Sequence, residues 1–245
     1  MIKKLAIFGD SVLRGVIYDD KKEKYTFSKA INWQKIEKAL NIEIDNHAKM
    51  GATIIDGKKR LDRYLNQKPD ANMILIEFGG NDCDFDWEKV SQKKSKKHQP
   101  KVMVDVFKQT LKTMIRDIRS KGIQPILMTL PTIDAKRYFA WISKNKKKVN
   151  NILYFLGDID HIYRFHEMYN LAIIETSVEL NVDMIDIRKV FLQKGDQLEK
   201  LICNDGIHPT VYAEKLVVKH IIQTYQQLPP AKQTKLYNQP VFTYN

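Results

Sequence analysis

Cysteine is almost absent from this chain of 245 residues, which contains only Cys83 and Cys203. Two cysteines are too few for a disulfide framework, and this scarcity agrees with a reducing compartment. Cys83 follows Asn81 by two residues, and Cys203 precedes Asp205 by two. We interpret both as buried free thiols that line loops.

Long apolar runs are also missing, since no stretch approaches the roughly 20 residues that a helix needs to cross a bilayer. The start, Met1-Ile2-Lys3-Lys4, resembles the charged part of a secretory signal, but the apolar run behind it stops at Gly9-Asp10. That run is too short for a signal's apolar region of about 7–15 residues, so we interpret it as the first strand of a sheet. The sequence therefore predicts a cytoplasmic location and no insertion into a membrane.

Acidic residues are scarce relative to basic ones, with 29 Asp and Glu against 41 Lys and Arg, which gives a net charge of +12. Such a balance can indicate a nucleic-acid partner. Here, however, lysines occur in runs such as Lys93-Lys94 and Lys96-Lys97, without interleaved aromatic residues or glycine. Solvated surfaces explain these runs at least as well, so we predict no nucleic-acid partner.

Apolar segments alternate with amphipathic ones along the chain. Strands are predicted over residues 2–8, 42–46, 72–78, 123–130 and 182–187. Helices are predicted over residues 28–40, 54–65, 102–121, 163–180 and 211–226. Strands that are separated by helices predict a parallel sheet with helices on both faces, which is a three-layer αβα sandwich of the α/β class.

The pattern shows no internal repeat and no boundary, so residues 1–245 are predicted to form one domain. Two connections are longer than usual, near 83–100 and 132–160, and long connections in a compact domain often cover or line a site. The second is rich in aromatic residues and is expected to contain helices. Residues 229–245 are expected to be extended.

Polar clusters follow three segments of the predicted fold: Gly9-Asp10-Ser11, Phe78-Gly79-Gly80-Asn81-Asp82 and Asp205-Gly206-Ile207-His208. A serine hydroxyl is a weak nucleophile, so acyl transfer needs a base, a group that orients the base, and donors for the oxyanion. Ser11 would supply the nucleophile, His208 the base and Asp205 the group that orients the base. The donors would be the backbone N–H groups of Ser11 and Gly51 and the side-chain amide of Asn81.

These residues carry a family resemblance. Four blocks occur in order: Gly9-Asp10-Ser11, Gly51, Gly79-Gly80-Asn81-Asp82 and Asp205-Gly206-Ile207-His208. Together they resemble the four sequence blocks of the SGNH (GDSL) hydrolases. The resemblance implies a flavodoxin-like sheet and a serine-esterase mechanism without a cofactor or metal. Ser11 would be the nucleophile, His208 the base and Asp205 its orienter. Ser11, Gly51 and Asn81 would form the oxyanion hole.

Each assignment has a structural alternative. A serine after a strand is commonly a helix N-cap, and Asn81 and Asp82 are common turn residues. Asp10, which could contact substrate, could equally stabilise a turn. Arg14 could contact an anionic substrate or form a structural ion pair. Trp87, which could line an acyl or sugar pocket, could equally belong to the core.

The function predicted from these observations is hydrolysis of small esters through an acyl-serine intermediate. The preferred substrate carries a short acyl group such as acetyl, on a carbohydrate. One alternative is a metal-dependent phosphoesterase whose ligands would be drawn from Asp10, Asn81, Asp82, Asp205 and His208. Another is a non-catalytic basic module that binds an anionic glycan or nucleic acid. The sequence does not separate esterase from thioesterase or acyltransferase, and it does not fix the oligomeric state.

Overall fold

The computed structural model describes residues 3–144, 148–194 and 197–227 of the protein. The segment 229–245, predicted to be extended, lies outside these residues. The strands are β1 (Lys3–Phe8), β2 (Val16–Asp19), β3 (Lys24–Phe27), β4 (Ile42–Asn46), β5 (Met73–Ile76), β6 (Gln124–Met128) and β7 (Asp183–Ile185). The helices are α1 (Ser11–Arg14), α2 (Trp33–Leu40), α3 (Ile54–Asn66), α4 (Trp87–Gln92), α5 (Val104–Ser120), α6 (Ala135–Ser143), α7 (Val149–Leu156), α8 (His161–Glu179), α9 (Arg188–Leu192), α10 (Leu198–Leu201) and α11 (Val211–Gln227).

Five parallel strands form the main sheet, in the spatial order β4-β1-β5-β6-β7. Numbered among themselves, these strands follow the order 2-1-3-4-5, which is that of the flavodoxin-like doubly wound fold. In such sheets, ligands bind beyond the carboxyl ends of the strands, beside the place where the strand order reverses. Here the first strand in the sequence, β1, lies between β4 and β5, so the loop after β1 opens into this place.

Successive residues of the central strands point to opposite faces of the sheet, as strand geometry requires. Along β1, Ala6 and Phe8 join one apolar cluster, whereas Leu5 and Ile7 join another. Helices α3, α5 and α8 cover the first face, and α2, α9, α10 and α11 cover the second. The predicted three-layer αβα sandwich is therefore confirmed.

A two-stranded antiparallel sheet was not predicted from the sequence. Strands β2 and β3 form a hairpin in which Tyr18 lies opposite Tyr25. The helix predicted over 28–40 begins only at Trp33, because the side chain of Asn32 accepts a hydrogen bond from the backbone N–H of Lys35 and caps it there. The preceding residues instead connect the hairpin to this helix.

The two long connections form a third apolar cluster beside the sheet. The first contains α4, and the second contains α6 and α7. Their apolar residues pack together with the start of α8, through Phe85, Val90, Ile152, Phe155 and Ile162. That residues 1–245 form one domain stays a prediction. Among the described helices, none is both long and apolar enough to traverse a bilayer.

Candidate active site

Ser11 lies at the carboxyl end of β1, where the chain turns directly into α1. Asp10 caps this helix, because its Oδ1 accepts a hydrogen bond of 2.9 Å from the backbone N–H of Val12. The capping role that was open for Ser11 therefore belongs to Asp10. The hydroxyl of Ser11 is directed elsewhere: its Oγ lies 3.0 Å from Nε2 of His208.

His208 and Asp205 lie in one tight loop before α11. Nδ1 of His208 is 2.5 Å from Oδ2 of Asp205, and Oδ1 of Asp205 accepts hydrogen bonds from the backbone N–H groups of Ile207 and His208. The Asp205 carboxylate is fully buried, and only 5 % of His208 is exposed. A hydroxyl, an imidazole and a carboxylate thus form one hydrogen-bonded chain from residues far apart in the sequence. This arrangement has the geometry of a Ser-His-Asp triad.

Gly206 allows this loop to pack closely on α6. Its φ is +82°, a conformation that other residues rarely adopt, and a Cβ there would lie 2.2 Å from the backbone nitrogen of Tyr138. The backbone N–H of Asp134, which caps α6, donates a hydrogen bond of 2.8 Å to the carbonyl of Gly206. The loop that carries His208 is therefore fixed by the segment 132–160.

Gly51 and Asn81 line the same cavity as Ser11 and His208. The backbone of Gly51 is left-handed, with φ of +74°, and a Cβ there would meet nothing within 4 Å. Conformation rather than space therefore favours glycine at this position. One N–H of the Asn81 amide donates to Oδ2 of Asp10 at 3.0 Å. The amide has a second N–H, which this bond leaves available. Their role as oxyanion donors stays a prediction.

The cavity has a volume of about 200 Å³ and is lined by two chemically different sets of residues. One set is polar and contains the residues described above. The other set is apolar and aromatic and comes largely from the two long connections and from the start of α8: Phe85, Trp87, Ile133, Tyr138, Ile162 and Phe165. A reacting group at Ser11 would thus share the cavity with apolar side chains.

The three residues predicted to contact substrate differ in their positions. Asp10 lines the cavity and also caps α1. Trp87 lines the cavity as well, and its indole N–H donates a hydrogen bond of 2.7 Å to Asp84. Arg14 is not among the lining residues: its side chain is exposed, and its guanidinium lies 5.5 Å from the ring centre of Phe27. The last residue of the short helix α1 points toward the hairpin rather than toward Ser11.

Three acidic residues near Ser11 are buried: Asp10 and Glu77, which line the cavity, and Asp82, which does not. Burial raises the pKa of Asp10, and burial together with the charge of Asp10 raises the pKa of Glu77 well above its ordinary value. Burial also raises the pKa of Asp82 to about 7, although Oδ1 of Asp82 accepts a hydrogen bond of 2.8 Å from the first backbone N–H of α3. Glu77 and Asp82 therefore favour the neutral acid over a wide pH range.

The raised pKa of Asp82 has a consequence for stability. In the unfolded chain this carboxyl ionises near pH 3.8, whereas in the folded chain it keeps its proton to about pH 7. The stability that this difference contributes is complete at low pH and is lost as the pH rises through both values. Asp82→Asn, which imitates the neutral acid, should remove this part of the loss, on the order of 4 kcal/mol between about pH 4 and pH 8.

Urea unfolding of the wild type and of Asp82→Asn across this pH range tests the expectation. Asp160→Asn is the matched control, because it makes the same change at an exposed carboxylate. Parallel stability curves for the wild type and Asp82→Asn would contradict it.

Several residues that line the cavity were not predicted from the sequence, and three of them carry titratable side chains close to the residues above: Tyr25, Glu77 and His166. Glu77 left a signal, because a carboxylate directly after a wholly apolar strand is unusual. His166, on α8, is buried, and burial lowers its pKa to about 3, so that its imidazole is neutral. Tyr25 left no signal, since only the fold brings β3 to this end of the sheet.

The side chains that a phosphoesterase would use as ligands have other partners here. His208 and Asp205 bind each other, and the Asp82 carboxylate caps a backbone N–H. Within residues 3–144, 148–194 and 197–227, no three His, Cys, Asp or Glu side chains converge in a way that could hold a metal ion. Both cysteines are free and buried, as predicted.

Comparisons with known proteins agree with this architecture. The model of the GDSL-like Lipase/Acylhydrolase family matches residues 7–216. Among solved structures, a lipase/acylhydrolase from Enterococcus faecalis has a TM-score of 0.64 at 21% identity, with 92% of this chain and 96% of that chain covered. The acetylxylan esterase Axe2 from Geobacillus stearothermophilus has a TM-score of 0.61 at 19% identity, with 91% and 93% covered. At these identities the two structures support the fold alone.

A curated relative corrects the predicted location. The uncharacterized lipoprotein YqeF of Bacillus subtilis (strain 168) is 28% identical over 209 residues, which are 82% of this chain and 77% of that protein. That protein is named a lipoprotein, and this finding contradicts the cytoplasmic location that the sequence predicted for this chain. An attached lipid holds a protein at a membrane without any spanning helix, so the lack of long apolar runs did not bear on the question.

Proposed function

Because the chain belongs to the GDSL-like Lipase/Acylhydrolase family and is a hydrolase of ester bonds, we propose that it acts through an acyl intermediate on Ser11. His208 would be the general base and Asp205 the group that orients it. The observation that carries this proposal is the continuous contact from Ser11 Oγ to His208 Nε2, at 3.0 Å, and from His208 Nδ1 to Asp205 Oδ2, at 2.5 Å.

The first half of the reaction forms the acyl-enzyme. Nε2 of His208 takes the hydroxyl proton while Oγ of Ser11 attacks the ester carbonyl carbon, and the carbonyl oxygen becomes an oxyanion. The tetrahedral intermediate collapses, the bond to the alcohol oxygen breaks, and His208 returns the proton to the departing alcohol. Throughout, the carboxylate of Asp205 stabilises the imidazolium and keeps Nδ1 protonated.

The second half of the reaction regenerates the serine. His208 takes a proton from water, the hydroxide attacks the acyl carbon, and the proton then returns to Oγ of Ser11 as the acid departs. Both tetrahedral intermediates carry negative charge on the same oxygen. The backbone N–H groups of Ser11 and Gly51, with the second N–H of Asn81, would stabilise it.

Cavity size and lining support a short acyl group. An apolar cavity of roughly 150 Å³ holds a molecule the size of benzene. A space of about 200 Å³ with aromatic walls therefore suits an acyl group of up to about six carbons. Similarity to the fold of an acetylxylan esterase makes an acetylated carbohydrate the substrate to test first.

A chain-length series tests the substrate. We expect kcat/KM for p-nitrophenyl esters to be highest from acetate to hexanoate and to fall for longer acids. Acetylated xylo-oligosaccharides, assayed in parallel, report on the alcohol portion. Highest activity on dodecanoate would exclude the short-acyl proposal. Loss of activity on chelation would favour the phosphoesterase alternative, and salt-sensitive binding without turnover would favour a binding module.

Removal of the Asn81 amide tests the oxyanion assignment. Asn81→Ala should lower kcat by about 10²–10³-fold with little change in KM, because the lost hydrogen bond is strongest in the transition state. Steady-state kinetics on p-nitrophenyl acetate measure this, and Asn66→Ala, at the exposed end of α3, is the control. A decrease in kcat smaller than the assay error would remove Asn81 from the oxyanion hole.

A further inference from the structure

The β2–β3 hairpin covers the pair formed by His208 and Asp205. The ring of Tyr25, on β3, lies with its centre 5.1 Å from that of the His208 imidazole, and the two planes are tilted by 58°. Tyr25 is half-buried and lines the cavity. None of the family-like sequence blocks contains this residue.

Two other aromatic side chains fix the position of the Tyr25 ring. Tyr18, which pairs with Tyr25 across the hairpin, contacts it edge-on with the ring centres 5.5 Å apart. The ring centre of Trp141, on α6, lies 4.6 Å from that of Tyr18 and 6.3 Å from that of Tyr25. Tyr25 is thus held from the hairpin and from α6 together, and it cannot move away from His208 unless this cluster opens.

The hydroxyl of Tyr25 lies near the carboxylate that orients His208. Burial and the negative charge of Asp205 raise the pKa of Tyr25 above its ordinary value. The same carboxylate accepts from Nδ1 of His208 and from two backbone N–H groups. The Tyr25 hydroxyl is therefore placed to act on the same carboxylate that orients the imidazole.

We propose that Tyr25 is a positioning residue for the acid–base pair: its ring fixes the plane of the His208 imidazole, and its hydroxyl moderates the charge that Asp205 presents to it. This inference rests on the proposed function, in which His208 must be neutral to accept the Ser11 proton. A donor to the carboxylate withdraws negative charge from it, so Asp205 stabilises the imidazolium less strongly when Tyr25 is present.

The sign of the expected effect follows from this. Tyr25→Phe keeps the ring but leaves Asp205 with more of its charge directed at His208, which favours the imidazolium. The acid limb of the kcat/KM–pH profile should therefore move to higher pH, by about 0.5–1 unit. Tyr25→Ala should in addition lower kcat about 10–100-fold, because the imidazole is no longer held in its plane.

Other titratable groups also surround His208. Asp10 faces it from the β1–α1 turn, and Glu214, whose pKa is raised to about 7 by burial, faces it from α11. Tyr18 and Cys203 lie near Asp205. Because Glu214 titrates in the same pH range as a histidine, a kinetic profile alone does not identify the group. An NMR titration of the His208 ring does.

The experiment compares the full chain as wild type, Tyr25→Phe and Tyr18→Phe. Tyr18→Phe removes a hydroxyl from the same aromatic cluster and serves as the matched control. In Tyr25→Phe we expect the midpoint of the His208 NMR titration and the acid limb of the kcat/KM–pH profile to move together to higher pH. In Tyr18→Phe we expect neither to move. Unchanged midpoints in Tyr25→Phe, or equal shifts in both variants, would overturn the inference.

Failure of the inference is distinguishable from failure of the proposed function. The NMR titration needs no substrate, so it reports on Tyr25 even if the wild type hydrolyses no ester. A wild type without turnover would defeat the proposed function. An active wild type whose Tyr25→Phe titration is unaltered would defeat only the positioning role.

Discussion

Ser11→Ala should lower kcat/KM for p-nitrophenyl acetate by about 10⁵–10⁶-fold, to the level that binding and the oxyanion donors alone sustain. The hydroxyl is the only group of Ser11 that the variant removes, while the backbone N–H stays in place. Steady-state assays of p-nitrophenyl acetate hydrolysis by the purified protein measure the loss of kcat/KM. A phosphonate ester that labels serine nucleophiles should modify the wild type and leave the variant unmodified.

Ser120→Ala is the control for this variant, because it removes a hydroxyl at the exposed end of α5. It should keep wild-type activity. Circular dichroism and the melting temperature verify that Ser11→Ala folds. If folded Ser11→Ala hydrolysed the ester within about tenfold of the wild type, the acyl-serine mechanism would be wrong.

His208→Ala should cause a loss of similar size, because Ser11 without a base is only a weak nucleophile. The double variant Ser11→Ala/His208→Ala should lose little more than either single variant, since the two groups act as one unit. Asp205→Asn should be less severe, at about 10⁴-fold, because the imidazole remains but is oriented less well.

His220→Ala is the matched control, as it removes an imidazole from α11, away from the cavity lining. The same p-nitrophenyl assay applies to the whole series. Losses that add up in the double variant would indicate that Ser11 and His208 act independently, which contradicts a triad.

Much of the fold was predictable because the pattern of apolar residues along the chain reflects which residues are buried. Strand β5, Met73-Ile74-Leu75-Ile76, is buried along its whole length, and its continuous apolar run indicated a central parallel strand. The hairpin was not predictable in the same way. Its turn is a run of charged residues, Asp19 to Lys24, and its strands carry mixed polar and aromatic residues that are only half buried.

The order of the candidate site residues was equally visible, because each follows an apolar segment or lies in a loop beside a turn-forming glycine. The sequence did not show in which direction each side chain points. Ser11 and Arg14 stand three positions apart on one short helix, yet one points into the cavity and the other toward Phe27. Tyr25 reaches His208 only because the β2–β3 hairpin packs against the loop before α11, and such tertiary placement leaves no mark in local spacing.

The separation of 197 positions between Ser11 and His208 has a consequence for biosynthesis. At a synthesis rate of about 5–20 residues per second, the serine leaves the ribosome roughly 10–40 s before its base. During that interval the nascent chain carries a hydroxyl that nothing activates. On the proposed mechanism, a stalled or prematurely terminated product is inert toward the esters it encounters, and hydrolysis begins only when translation has passed the loop before α11.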